Sequence, residues 1–107
     1  MEKMSFSERV YKLCSKIPQG KVSTYKEIGK VLGKGQVYRA VGRALKDNPY
    51  APKVPCHRVV KSDGSIGGFK GKIGGKNIVE KIQLLEKEGV EIKNNKIDLK
   101  KYGFTFS

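Results

Sequence analysis

Turn-forming residues cut this chain into short pieces, and that limits what it can fold into. Pro18-Gln19-Gly20, Gly33-Lys34-Gly35, Asn48-Pro49 and Gly89 each interrupt the chain. A proline lacks the backbone donor and pushes the residue before it out of the α region, while glycine runs favour turns. Between the breaks, apolar residues recur at helical spacing. Ser5 to Ile17 puts Phe6, Val10, Leu13, Cys14 and Ile17 on one stripe. Thr24 to Leu32 opens on Thr24 with Glu27 three residues on, the signature of a capping box, and offers Ile28, Val31 and Leu32 for burial. Gln36 to Asp47 repeats Val37, Ala40, Val41, Ala44 and Leu45, and Lys76 to Glu88 turns Ile78, Val79, Ile82 and Leu85 inward. Four short amphipathic helices on one core are predicted, a fit for a single domain of 107 residues.

The rest of the chain reads as strand and loop. Pro49, Pro52 and Pro55 stiffen the approach to Cys56, and Val54 to Val60 is predicted to be extended. Ser62-Asp63-Gly64 is a turn and Ile66 begins a return strand, giving a short β-hairpin. Five glycines between Ile66 and Gly75 predict a loop, and Val90 to Leu99 a small hairpin across Asn94-Asn95. The fold class predicted is mainly α with a short β-hairpin (α/β). No run of eighteen apolar residues is present, and Met1 to Val10 lacks an apolar signal region, so no membrane association is expected and the location expected is cytoplasmic.

Charge narrows the partners. The chain carries 23 Lys and Arg against 10 Asp and Glu, a net +13. From Val10 to Lys46 the basic residues Lys12, Lys16, Lys21, Lys26, Lys30, Lys34, Arg39, Arg43 and Lys46 face Glu27 as the one acid. Such an excess favours a polyanion and predicts salt-sensitive binding. A solvated lysine-rich surface gives the same composition, so charge alone leaves both readings open. Distribution adds to it. The outer face of the third helix carries Arg39, Gly42, Arg43 and Lys46 at helical spacing, with a glycine gap that permits close approach. Two short helices around a glycine turn, the second basic outside, suggest a helix-turn-helix. Plain helical packing with a solvated basic face remains the alternative.

The cysteines bound the chemistry. Cys14 and Cys56 are the two cysteines and His57 the one histidine, too few and too scattered for a four-ligand zinc site, and no metal is expected. Cys14 lies on an apolar stripe and reads as a buried, inert thiol. Cys56 stands next to His57, which suggests a nucleophile beside its base. A chance neighbour pair is the rival reading, and on an extended strand adjacent side chains point to opposite faces.

The string PCHRVV at 55–60 resembles the active-site motif of the O6-alkylguanine-DNA alkyltransferases, in their C-terminal catalytic domain. IPQGKVSTY at 17–25, RAVGRAL at 39–45, Asn48-Pro49, SDGSIGG at 62–68 and LLEKEG at 84–89 agree in order and spacing. The likeness spans about residues 5–89, with 90–107 as a C-terminal extension of one DNA-binding and alkyltransferase domain. It implies a winged-helix-like domain containing the helix-turn-helix. It also implies irreversible, stoichiometric transfer of a methyl or other alkyl group from O6 of guanine in double-stranded DNA to Cys56, after the base is flipped out. The resemblance makes His57 the base acting through a water, Glu88 the carboxylate that orients it, and Asn48 the hinge beside the site. It makes Tyr25 the residue pressing on the target phosphate and Arg39 the finger filling the vacated stack. Ala40, Gly42 and Arg43 complete the DNA-binding helix, which enters the minor groove. Pro55, Val59, Phe69 and Lys70 fall to the guanine pocket. No cofactor is implied, because the damaged DNA is the alkyl donor, and the domain is expected to act as a monomer.

Two positions depart from the family pattern. Phe69 stands where a tyrosine usually donates to the guanine ring, and Lys70 where a serine usually follows. The loop from Lys72 to Lys76 is several residues longer than usual. Two rival functions follow. One is a non-catalytic, alkyltransferase-like lesion-binding protein, a branch that replaces the cysteine this chain keeps. The other is a plain helix-turn-helix regulator, which explains the charge but not PCHR with Glu88.

Overall fold

The computed structural model of the chain describes residues 5–33, 38–50, 53–66 and 76–106. Helix α1 spans Phe6–Cys14, strand β1 Ser23–Thr24, α2 Tyr25–Leu32 and α3 Tyr38–Lys46. A single 3-10 turn at Cys56–Arg58 leads into strand β2, Val59–Val60. Helix α4, Lys76–Lys87, and the one-turn α5, Leu99–Tyr102, complete the described chain. The class is the predicted one: mostly helical, with a two-stranded sheet and a helix-turn-helix formed by α2 and α3.

Local chemistry sets the helix ends. Ser5 Oγ accepts from the Glu8 amide and Glu8 Oε1 accepts from the Ser5 amide, both at 3.1 Å, so α1 starts on a reciprocal capping box. At α2 half of the predicted box forms: Thr24 Oγ1 accepts from the Glu27 amide at 3.0 Å. Helix α1 stops at Cys14, where the Lys16 and Ile17 amides tighten onto the carbonyls of Leu13 and Cys14. Gly89, at φ 90°, ends the turn after α4 in a left-handed conformation that suits glycine.

Two apolar clusters meet at β2. Val59 packs with Val10, Leu13, Cys14, Ile17, Ile28, Val41, Ala44, Leu45 and Cys56. Val60 packs with Val22, Ile66, Leu85, Val90 and Ile97. Adjacent strand residues point to opposite faces, so two valines serve both clusters. Beyond residue 90, the Lys93 and Lys96 amides and carbonyls bond reciprocally at 2.9 Å across Asn94 and Asn95, both at positive φ. That is the hairpin predicted for this segment. The chain then returns to Val22, whose amide donates to Tyr102 O and whose carbonyl accepts from the Phe104 amide, both at 2.8 Å.

Several sequence expectations are corrected. Residues 54–60 are not extended throughout, because Cys56, His57 and Arg58 form the 3-10 turn. Among the described residues the strand that follows has no return strand at Ile66 beside it, and the Ile66 amide donates to Asn95 O at 3.1 Å instead. β2 pairs in parallel with β1, Ser23 opposite Val59 and Thr24 opposite Val60, while Ser65 bridges Lys96. A two-residue pair leaves no alternation for a sequence pattern to register. Phe6, Val31 and Val79 lie on the predicted apolar stripes yet are exposed. Ala40 likewise faces outward, and Lys81 takes the inward position that Val79 was expected to hold. Gln36, Val37 and the glycine loop at 67–75 lie outside the described residues. Among the described residues no helix is long and apolar enough to cross a membrane.

Candidate active site and DNA-binding face

The 3-10 turn presents Cys56 and His57 within the core, 6% and 2% exposed. Pro55, also buried, precedes it, and its carbonyl accepts from the Arg58 amide at 2.9 Å. The Cys56 amide donates to Val54 O at 2.8 Å. Asn48, just past the end of α3, braces this approach. Its Nδ2 donates to Val54 O at 3.0 Å and its Oδ1 accepts from the Tyr50 amide at 2.9 Å. Asn48 therefore links the end of the helix-turn-helix to the residue two before Cys56. Cys56 and His57 sit in a 3-10 turn, where the strict alternation of an extended strand does not hold.

His57 is held by Glu88, which follows α4. His57 Nε2 lies 3.0 Å from Glu88 Oε2. A carboxylate only accepts, so the shared proton belongs to Nε2. In the neutral ring Nδ1 is then a bare acceptor, and it is buried with no hydrogen-bond partner among the described residues. Burial pulls the His57 pKa below its ordinary value and outweighs the hydrogen bond and charge of Glu88, so the ring is neutral near pH 7. Burial alone would raise Glu88, but hydrogen bonds from Arg58 and His57 overcome it and hold the carboxyl below its usual range. The site thus contains a thiol, a neutral imidazole with an unused buried lone pair, and a carboxylate behind it.

Two basic residues of this region carry no site role in the sequence reading. Arg58 Nε and Nη2 donate to the two oxygens of Glu88, at 2.9 and 2.7 Å, and Nη1 donates to Ile17 O at 2.8 Å. Lys81 is wholly buried, and its Nζ donates to Val59 O at 2.8 Å and Ile66 O at 2.6 Å. Burial pushes its pKa down to about 7, partly offset by the negative charge that the Cys56 and Cys14 sulfurs carry when ionised. A signal for Lys81 exists in the sequence: with Ile78, Ile82 and Leu85 it completes an i, i+3, i+4, i+7 stripe. Cys14 is buried and its thiol is pushed up to about 12 by desolvation, which agrees with an inert core cysteine.

The residues predicted for DNA lie on another surface. Arg39, Ala40 and Arg43 are exposed on α3. Gly42 and Tyr25 line a cleft of about 580 Å³ with Lys26, Lys61, Ser62 and Asp63. The parallel pairing of β1 with β2 builds this cleft, since it sets the start of α2 beside the 61–63 turn. A methyl group built on Gly42 would meet nothing within 4 Å, so internal packing does not require glycine there. Tyr25 packs on the cluster that holds Cys56, and burial pushes its hydroxyl up to about 12. Pro55 and Val59 are not among the cleft's lining residues, and Val59 is wholly buried. Phe69 and Lys70 fall outside the described residues. Among the described residues no group of three or more His, Cys, Asp or Glu is placed to hold a metal.

The family described as 6-O-methylguanine DNA methyltransferase, DNA binding domain, matches residues 5–90. The chain belongs to this family. Among curated members, a methylated-DNA–protein-cysteine methyltransferase of Methanosarcina barkeri is 42% identical over 77% of this chain and 52% of its own length. A DNA base-flipping protein of Vibrio parahaemolyticus is 39% identical over 91% of this chain and 93% of its own length. Among solved structures, S. pombe Atl1 in complex with damaged DNA containing O6-carboxymethylguanine superposes with a TM-score of 0.82 at 34% identity, covering 98% of this chain and 99% of that one. The chain spans 33% to 52% of the length of the first curated methyltransferases it matches. This alkyltransferase-family chain therefore resembles members of two lengths, and both share its helix-turn-helix domain.

Proposed function

We propose that this chain repairs DNA by moving an alkyl group from O6 of guanine onto its own Cys56, acting as one domain and as a monomer. The observation that carries the reading is the Glu88-bound His57 with its buried, unpartnered Nδ1, next to Cys56. Nδ1 takes the Cys56 proton through a bridging water, as the family resemblance implies. The thiolate attacks the alkyl carbon, the S–C bond forms and the C–O6 bond breaks with its electrons staying on guanine. The base leaves after accepting a proton returned by the His57 imidazolium, so the relay ends neutral. The product is a thioether, a poor leaving group, so each molecule acts once. Damaged DNA supplies the alkyl group and no cofactor takes part.

The DNA face supports the substrate class. O6 of a stacked guanine is closed to a nucleophile, so the base must be extruded, and a damaged base costs less to extrude. Exposed Arg39 and Arg43 supply phosphate attraction, and the open space at Gly42 admits a close backbone approach. In this reading Arg39 fills the stack, Tyr25 turns the nucleotide, and Asn48 couples α3 to the turn that holds Cys56. Phe69 and Lys70 fall to the guanine pocket by resemblance. The test is peptide mass spectrometry after incubation with duplex DNA bearing O6-methylguanine. A gain of one methyl on the Cys56 peptide is expected; a methyl elsewhere, or none, overturns the reading. A second reading, lesion binding without transfer, draws on the near-complete mutual coverage with the base-flipping protein and Atl1. Retained binding to methylated DNA with an unmodified Cys56 would favour it.

A further inference from the structure

Glu88 is shared. Its Oε2 accepts from His57 Nε2 at 3.0 Å and from Arg58 Nη2 at 2.7 Å, while Oε1 accepts from Arg58 Nε at 2.9 Å. The third arm of the same guanidinium reaches Ile17 O, beyond α1, at 2.8 Å. One side chain therefore ties three separate pieces of chain together: the turn bearing Cys56 and His57, the end of α4, and the segment after α1. Gly20, three residues past Ile17, lies close to the Glu88 backbone. A methyl group on it would come within 3.2 Å of the Glu88 carbonyl.

We propose that Arg58 is a positioning residue of the Cys56–His57–Glu88 relay, which fixes the Glu88 carboxylate by a two-point hydrogen bond and, by sharing it, adds to the burial that leaves His57 neutral with Nδ1 open. A carboxylate paired with a histidine alone stabilises the imidazolium, which has no free lone pair to take a thiol proton. A guanidinium bound side-on to the same carboxylate offsets that charge and sets its plane. The charged groups facing His57 are Glu88 and Lys81 from the α4 side and Arg58 from its own turn. Arg58 and Lys81 both oppose the imidazolium, while Glu88 favours it. Lysine in place of Arg58 would keep the charge but lose the fork. The inference rests on the proposed relay for its catalytic consequence, yet its first test needs no alkyl transfer.

His57 is the one histidine of the chain, so its ring protons titrate without overlap in an NMR spectrum. In the wild-type protein the midpoint is expected below the ordinary histidine value of ~6.5 despite the adjacent carboxylate. Arg58→Gln should raise that midpoint, and Arg58→Lys should raise it less. The acid limb of the Cys56 methylation rate should move to higher pH with it, so that Arg58→Gln loses more rate in mild acid than at neutral pH. A wild-type midpoint above the ordinary value overturns the inference, even if Arg58→Gln fails to fold. So does an unmoved midpoint in folded Arg58→Gln. A midpoint that shifts as expected in a protein whose Cys56 is never methylated supports the role of Arg58 and overturns the transfer reading instead.

Discussion

The exposed face of α3 and the buried junction behind the 3-10 turn both use basic residues, and to opposite ends. Arg39 and Arg43 stand in solvent, where charge is screened and each contact is weak and general. Arg58 and Lys81 are bound to named oxygens, those of Glu88, Ile17, Val59 and Ile66. In that setting direction matters more than net charge. The first pair suits a ligand whose backbone repeats and whose position varies. The second pair suits one thiol and one ring that must stay where they are. Net charge points to a class of partner, while the chemistry depends on a few basic groups held by named oxygens at a largely buried junction.

The separation can be broken by substitution. The largest effect is expected for Cys56→Ser, which should abolish methyl transfer while DNA affinity, measured by fluorescence anisotropy, stays close to wild type. Persisting transfer would place the nucleophile elsewhere, with Cys14 the next thiol to consider. Arg39→Ala should slow repair of duplex DNA by about tenfold or more, a barrier of ~1.4 kcal/mol per factor of ten. Reaction with free O6-benzylguanine, which has no stack to fill, should be nearly unchanged. Equal losses on both substrates would merge the two regions that the account keeps apart.

The buried side predicts a pH signature of stability. Lys81 titrates near 7 in the fold against 10.5 for an ordinary lysine. The unfolded chain then binds the extra proton in this window, and stability should rise with pH from about 7. Cys14 and Tyr25 act in the other sense, since both are raised to about 12 from 9.0 and 10.0. Above about pH 9 the fold retains protons that the unfolded chain loses, and stability should fall. Melting temperature against pH should therefore rise and then fall, and Lys81→Met should remove the rising limb. A rising limb that survives this change would assign it to other groups.

The smallest effect is expected at Gly42, on the α3 side. Alanine meets no atom there and gains ~0.5–1 kcal/mol in a helix interior. Gly42→Ala should therefore melt slightly higher yet bind DNA more weakly. Higher stability with unchanged affinity would remove the close backbone approach.

How much of this was legible in the sequence follows the same division. The four long helices were, because their apolar residues repeat at 3.6. Asn48 and Glu88 stand out only through the family resemblance, and the structure brings Glu88 against His57 and Asn48 against the approach to Cys56. The 3-10 turn was not legible, since prolines before it and valines after it both read as extended chain. Nor was Arg58, because nothing local links it to a carboxylate thirty residues on. Lys81 defeated the reading by type rather than by position: its place on the stripe was visible, but a lysine is ordinarily assigned to the outer face. In the same helix Val79 is exposed, although its apolar type suggests the inner face.

In the proposed reaction Cys56 accepts one alkyl group and keeps it. The most direct measurement is stoichiometry: excess duplex DNA carrying radiolabelled O6-methylguanine, counted as label fixed on protein and as guanine restored in DNA. One label per molecule is expected, with an equal amount of guanine restored and no further reaction when fresh DNA is added. Repeated turnover would contradict it, and so would methylated DNA that is bound tightly yet returned with its methyl group in place.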